Sequence, residues 1–163
     1  MTVTAPAQAA QRSTSVHADA WPAFTVHTDD DVIVAAVALT RLVTWCGTPS
    51  VHNSAAATPG TGGRSAATER ASVVVARVLD VEWRSDLRMH VVIDADLRHC
   101  RPITGDTRVI GRRATVHLSS AVLRRGVAAD DAFSTYLPSD VVVGDLIVIP
   151  CAGATLLHEV KSA

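Results

Sequence analysis

The chain is expected to fold as a mainly β protein, a small antiparallel β-barrel or sandwich with one N-terminal helix. Three observations predict it. Valine-rich runs of strand length recur between residues 72 and 160. Turn residues punctuate those runs, among them Ser85-Asp86, Gly111, Val143-Gly144-Asp145 and Cys151-Ala152-Gly153. One upstream segment, opening at Thr28, carries a helix-start signature instead.

Residues 1–20 are rich in Ala, Thr, Gln and Ser and lack an apolar stretch of signal-peptide length. They are expected to be a disordered tail, with 21–163 forming a single β-rich domain. Thr28-Asp29-Asp30-Asp31 reads as the start of a helix. Thr28 caps the first free amides, Asp31 fits the capping-box spacing, and three carboxylates oppose the positive end of the dipole. The helix is expected to run to about Cys46, where Gly47 stops it and Pro49 forbids continuation. The apolar run Val32 to Leu39 is too short to span a membrane before Arg41 interrupts it.

Residues 54–72, with Pro59-Gly60-Thr61-Gly62-Gly63, have the composition of a flexible linker. Ser72 to Trp83 then reads as one long strand or a bent pair, and Arg88 to Asp94 as its return. Thr107 to Ile110 and Ala114 to Ser119 read as two more strands. In the second, Val116 and Leu118 alternate with Thr115, His117 and Ser119. Leu146 to Ile149 is a continuous apolar strand, and Thr155 to Val160 is read as the last.

A chain of 163 residues suits one domain, and such a domain buries roughly 70% of its unfolded surface. Its 48% apolar content makes it globular rather than disordered. A net charge of −1 gives no electrostatic case for nucleic acid or an anionic membrane. The basic pairs Arg112-Arg113 and Arg124-Arg125 read as solvated surface, and Trp21, Trp45 and Trp83 as core or interface anchors. A cytoplasmic protein is expected. Cys46, Cys100 and Cys151 make an odd count with no C-x-x-C spacing, which argues against a disulfide framework or a zinc site.

Several segments, read in order, resemble the C-terminal β-domain of the ornithine/diaminopimelate decarboxylases, the fold-type III pyridoxal-phosphate (PLP) enzymes. Val75-Ala76-Arg77-Val78-Leu79-Asp80-Val81 is followed by Met89-His90-Val91-Val92-Ile93-Asp94-Ala95-Asp96-Leu97-Arg98-His99-Cys100-Arg101-Pro102, similar to the family's strand, turn and "VVDAGMN…RP" strand. Leu137-Pro138 precedes Val143-Gly144-Asp145-Leu146-Ile147-Val148-Ile149-Pro150-Cys151-Ala152-Gly153-Ala154, similar to "LP…VGDLLVFPDAGAY". Cys46-Gly47-Thr48-Pro49-Ser50-Val51-His52-Asn53 looks like the opening "GTPLYVYD" strand. The likeness covers residues 40–53 and 73–160.

The departures are equally specific. In the family a PLP-binding barrel lies between the opening strand and the β-domain; here only 54–72 stands there. The resemblance therefore implies a β-domain without its PLP-binding TIM barrel. The family's catalytic cysteine falls at Ala114, the tyrosine of "GAY" at Thr155, and the acid before "AGAY" at Cys151. The only lysine is Lys161, whereas a PLP enzyme holds its cofactor as a Schiff base on lysine. No cofactor and no metal are expected.

Asp94, Asp96, His99 and His117 are the candidate acid/base residues. Asp94-Ala95-Asp96 puts both carboxylates on one side of a strand if the strand continues that far. A carboxylate beside His99 would orient the ring and raise its basicity. Among His90, His99, His117 and His158 no two stand at a short metal-binding spacing. Cys100 and Cys151 are weaker nucleophile candidates, since free cysteine is more often a small buried residue.

Two functions follow. A non-catalytic accessory or interaction domain would dimerise or pair with a PLP-barrel protein, as the family's β-domains complete a partner's site. Alternatively, a cofactor-independent biosynthetic cyclase, isomerase or decarboxylase would hold a small-molecule ligand in a barrel pocket. The second requires an enclosed pocket on which the polar candidates converge. A fragment that folds poorly alone is a third, duller reading.

Overall fold

The computed structural model describes residues 18–126 and 132–161. The tail expected over 1–20 lies outside the described residues as far as residue 17. Eleven strands and two α-helices follow a 3₁₀ turn at Ala18–Ala20. Strands β1 (Thr25–His27), β2 (Val32–Val34) and β3 (Val37–Ala38) form a small antiparallel sheet. Helix α1 (Leu39–Cys46) follows directly. Then come β4 (Ser50–Ala57), β5 (Ser65–Trp83), β6 (Met89–Ile93), β7 (Arg101–Pro102), β8 (Arg108–Ile110), β9 (Leu118–Arg124), β10 (Ala132–Pro138), β11 (Leu146–Ala152) and a short helix α2 (Leu157–Val160). The mainly β class read from the sequence holds.

The large sheet runs β10-β9-β6-β5-β11-β7, with β4 also paired to β5 and β8 to β11. Its pairs are antiparallel except β6 with β9. Strand β5 is its spine. Its first half pairs with β4 and β11, and its second half with β6. The change of partner falls at a bulge, where Val78 faces Ile93 but Asp80 faces Val92. Leu79 is the extra residue, half exposed, and such bulges sharpen the local bend and twist. The sheet thus curls into a partial barrel.

Alternation along β5 feeds two cores. Val74, Ala76 and Val78 face inward with Met89, Val91, Ile93, Leu123, Leu137, Ile147 and Ile149. Val73 and Val75 face the other way and pack with Trp21, Val32, Val34, Leu39, Val43, Ile110 and Val148. So the valine run is buried on both faces, which explains why it reads as a continuous apolar strand.

Four expectations need correction. The helix expected from Thr28 begins only at Leu39. The β-branched run Val32-Ile33-Val34 pairs as a strand, and Ala35 and Ala36, both at positive φ, turn it onto β3. Gly47 ends the helix as expected, at φ 72° with its N–H donated to the Val43 carbonyl. The last strand, expected over Thr155 to Val160, is the short helix α2. The strand expected over Ala114 to Ser119 is displaced, with β9 beginning only at Leu118. Residues 54–72, read as a linker, form the end of β4, a turn and the start of β5.

Candidate functional site

Strand β6 ends at Ile93 and delivers the 94–101 segment to one end of the partial barrel. Asp94 is a clamp there. Its Oδ1 accepts the Arg77 amide at 2.8 Å, and its Oδ2 accepts the Thr48 hydroxyl at 2.5 Å. It ties the end of β6 to β5 and to the approach of β4. Asp96 is buried, and its carboxylate takes Arg98 Nε and Nη2 at 3.0 and 2.6 Å and Arg125 Nη1 at 3.2 Å. The Arg98 hydrogen bonds hold its pKa down to about 2. The two carboxylates thus go to different partners.

His99 is exposed on the same segment and makes no hydrogen bond to the described residues. His117 lies elsewhere. Met89 pairs with Ala121 and Val92 with Arg124 in the parallel β6–β9 ladder, so His117 falls near the opposite end of β6. At strand rise that is about 25–30 Å from Asp94. The structure therefore brings Asp94, Asp96 and His99 onto one segment and leaves His117 apart. The four do not converge on a point.

A different set does meet at this end. Ser72 Oγ and Thr155 Oγ1 are 2.8 Å apart, and the Ser72 hydroxyl also reaches the Gly153 carbonyl at 3.0 Å. The Asn53 side-chain amide donates to the Thr155 carbonyl at 2.8 Å and accepts the Thr155 N–H at 2.9 Å. Cys151 is buried beside them and donates its thiol to the Ile149 carbonyl at 3.7 Å, while the Cys100 thiol donates to the Leu97 carbonyl at 3.3 Å. The thiols respond oppositely. Cys100 is held below the usual thiol range by the neighbouring Cys151 thiol, and Cys151 is pushed up by Cys100 and by burial. Outside them, Asp19, Glu69, Arg70, Arg101, Cys151 and Gly153 help line a cleft of about 480 Å³.

Arg101 is a residue of this site that adjacency in sequence does not single out. Its guanidinium lies over Gly153, where a Cβ would stand 2.5 Å from Nη2, and it makes no ion pair among the described residues. The signal that could have found it is register. Ala152 faces Arg101 and Cys151 faces Pro102 across the β11–β7 ladder, so the Cys-Ala-Gly turn and the Arg-Pro pair are neighbours. The two arginine pairs have partners instead. Arg112 is held by Asp140 and Asp145, Arg113 by Asp29, and Arg125 by Asp96. Among the described residues no group of three or more His, Cys, Asp or Glu could hold a metal. Among the described residues no helix is long and apolar enough to cross a membrane.

No family model and no curated protein matches the chain. Solved structures of decarboxylases resemble it over about half its length. A diaminopimelate decarboxylase is 19% identical over 54% of this chain and 26% of its own, with a TM-score of 0.41. The arginine decarboxylase of Paramecium bursaria Chlorella virus, solved bound to agmatine, is 12% identical over 56% of this chain and 28% of its own, with a TM-score of 0.38. The chain thus spans about a quarter of the length of either enzyme.

Lys161 is exposed, and its backbone bridges Ala95 at the end of α2.

Proposed function

We propose that the chain is a non-catalytic, cytoplasmic β-domain of decarboxylase descent that works by pairing with a protein, either a second copy of itself or a separate PLP-barrel protein. One observation carries this reading. Among the described residues the interior of the partial barrel is filled by side chains, with Met89, Leu123, Leu137, Ile147 and Ile149 all 0% exposed, where a barrel enzyme would hold its ligand. Asp94 and Asp96 are spent on bonds to Thr48, Arg77, Arg98 and Arg125 rather than on His99. Trp45, Trp83, Leu118 and Tyr136 are each more than half exposed and are available to a partner. Native mass spectrometry of the protein purified gently from its own cells tests the reading. A fixed-ratio complex with a PLP-barrel protein, or a homodimer, is expected. A bare monomer at micromolar concentration overturns it.

Arg101 favours a second reading, a domain that binds a small carboxylate in the cleft beside Gly153. Glutarate is a suitable probe. Saturable heat in a titration calorimeter, lost in Arg101→Gln, is expected if the cleft is a ligand site. Equal heats from the two proteins remove this reading.

A further inference from the structure

Cys100 and Cys151 form a matched pair rather than two separate thiols. Cys151 stands on β11 opposite Pro102, so β11 meets the chain where Cys100 leads into β7. Cys100 packs against the inner core cluster to which Cys151 belongs. Each thiol donates to a nearby carbonyl, Cys100 to Leu97 at 3.3 Å and Cys151 to Ile149 at 3.7 Å, and both cysteines are free. Access is asymmetric. Cys151 is 0% exposed, whereas Cys100 is half-buried and open to a small reagent. Cys46, on the exposed face of α1, stands apart as an unpaired control.

We propose that Cys100 and Cys151 are a redox pair that closes to an intramolecular disulfide under a peroxide-class oxidant, with Cys100 as the attacking and Cys151 as the resolving thiol. In the first step the Cys100 sulfur, as thiolate, attacks one peroxide oxygen. An S–O bond forms, the O–O bond breaks, and hydroxide leaves, taking up the proton that Cys100 released to become water. In the second step the Cys151 sulfur attacks the Cys100 sulfenic acid. The S–S bond forms, the S–O bond breaks, and the departing hydroxide takes the Cys151 proton as water. Two thiols are oxidised, one hydrogen peroxide is reduced, and two waters are produced.

The order of the steps follows from the surroundings. Attack needs a thiolate that a reagent can reach, and resolution needs a second thiol already in contact. The neighbouring Cys151 thiol favours the Cys100 thiolate, while Cys100 and burial keep Cys151 protonated until its neighbour has reacted. The bridge would pin the 94–100 segment to β11 at the edge of the Arg101 cleft.

The test uses the whole chain, treated with stoichiometric hydrogen peroxide, blocked with N-ethylmaleimide and mapped by non-reducing peptide mass spectrometry. The expected result is loss of two hydrogens, a linked pair of peptides carrying Cys100 and Cys151, alkylation at Cys46 alone, and full reversal by dithiothreitol. Cys46→Ser should behave the same way. Cys151→Ala should accumulate a dimedone-trappable sulfenic acid at Cys100. Three alkylated cysteines, a bridge only between Cys46 of two copies, or a sulfinic acid at Cys100 without a bridge overturns the proposal. The map of the unsubstituted protein decides the matter even if a variant fails to fold.

Discussion

Asp31 hydrogen-bonds Thr40 across nine residues of chain and caps a helix from outside it. Asp31 Oδ1 accepts the Thr40 amide at 3.3 Å, and Oδ2 accepts the Thr40 hydroxyl at 2.6 Å. The residue at the usual capping position, Ala38, has no side chain for the task. Losing a cap costs about 1–2 kcal/mol. Asp31→Ala should therefore lower stability by about that much in a urea titration, and Thr40→Val by less, because the Thr40 amide bond survives. Equal stability of Asp31→Ala and the parent would show that water caps α1 as well.

The turn that replaces the first half of the expected helix carries strain. Ala35 and Ala36 sit at φ 46° and 67°, a conformation that L-residues with a Cβ adopt at a cost of about 1–2 kcal/mol each. Two-residue hairpins of this kind prefer Asn-Gly. The double substitution Ala35→Asn, Ala36→Gly should raise the urea midpoint and stabilise by about 1 kcal/mol. A fall would mean that the alanine methyls contribute packing which the backbone relief does not offset.

These two features explain what the sequence discloses and what it hides. The β class, the strand ends at Gly111 and the helix stop at Gly47 depend on local chemistry, so they are legible. The Thr28–Asp31 signature is genuine capping chemistry, but its hydroxyl and carboxylate serve a hairpin turn and a later helix. Val32-Ile33-Val34 decides the conformation there, because its apolar face is wanted by the second core. The 54–72 stretch looks loose because alanine and serine suit a strand flanked closely by neighbours as well as they suit a linker. At the site, the 94–101 segment was visible. The separation of His117 and the approach of Arg101 to Gly153 are set by strand register, which adjacency in sequence does not report.

Gly153 is where backbone freedom and the cleft meet. It sits at φ 74°, and an added Cβ would press on the end of Arg101. Gly153→Ala should cost about 1 kcal/mol from the backbone conformation. It should also move Arg101, whose flexible end can give way. If the cleft binds carboxylates, glutarate affinity should fall together with stability. A variant that is destabilised yet binds unchanged would separate Arg101 from the ligand.

His27 sets a stability limb near neutral pH. Its Nδ1 accepts Arg108 Nη1 at 2.7 Å, and its ring meets that of Trp21 edge-on at 4.8 Å. Burial, and then the Arg108 charge, lower its pKa from 6.5 to about 4. An unfolded histidine takes its proton near pH 6.5, while the folded one refuses it until about 4. The folded state is therefore fully favoured above pH 6.5 and loses stability as pH falls from 6.5 to 4. Urea midpoints across that window should decline in the parent and stay flatter in His27→Gln. Parallel curves would assign the decline to another group.

Asp96 acts in a separate, more acidic window. Its side chain is 6% exposed, and Arg98 and Arg125 both reach it. With the pKa lowered from 3.8 to about 2, the unfolded carboxyl protonates first as pH falls. Its contribution is complete above about pH 4 and disappears as pH approaches 2. A displacement of that size corresponds to about 2 kcal/mol. Asp96→Asn should accordingly cost about 2 kcal/mol or somewhat more at pH 7, since the amide keeps the shape but not the charge between two guanidinium groups. The parent and Asp96→Asn curves should then converge between pH 4 and 2. A constant gap down to pH 2 would mean that the hydrogen-bonding shape of the Asp96–Arg98 turn, rather than the charge of Asp96, holds this end of the barrel together.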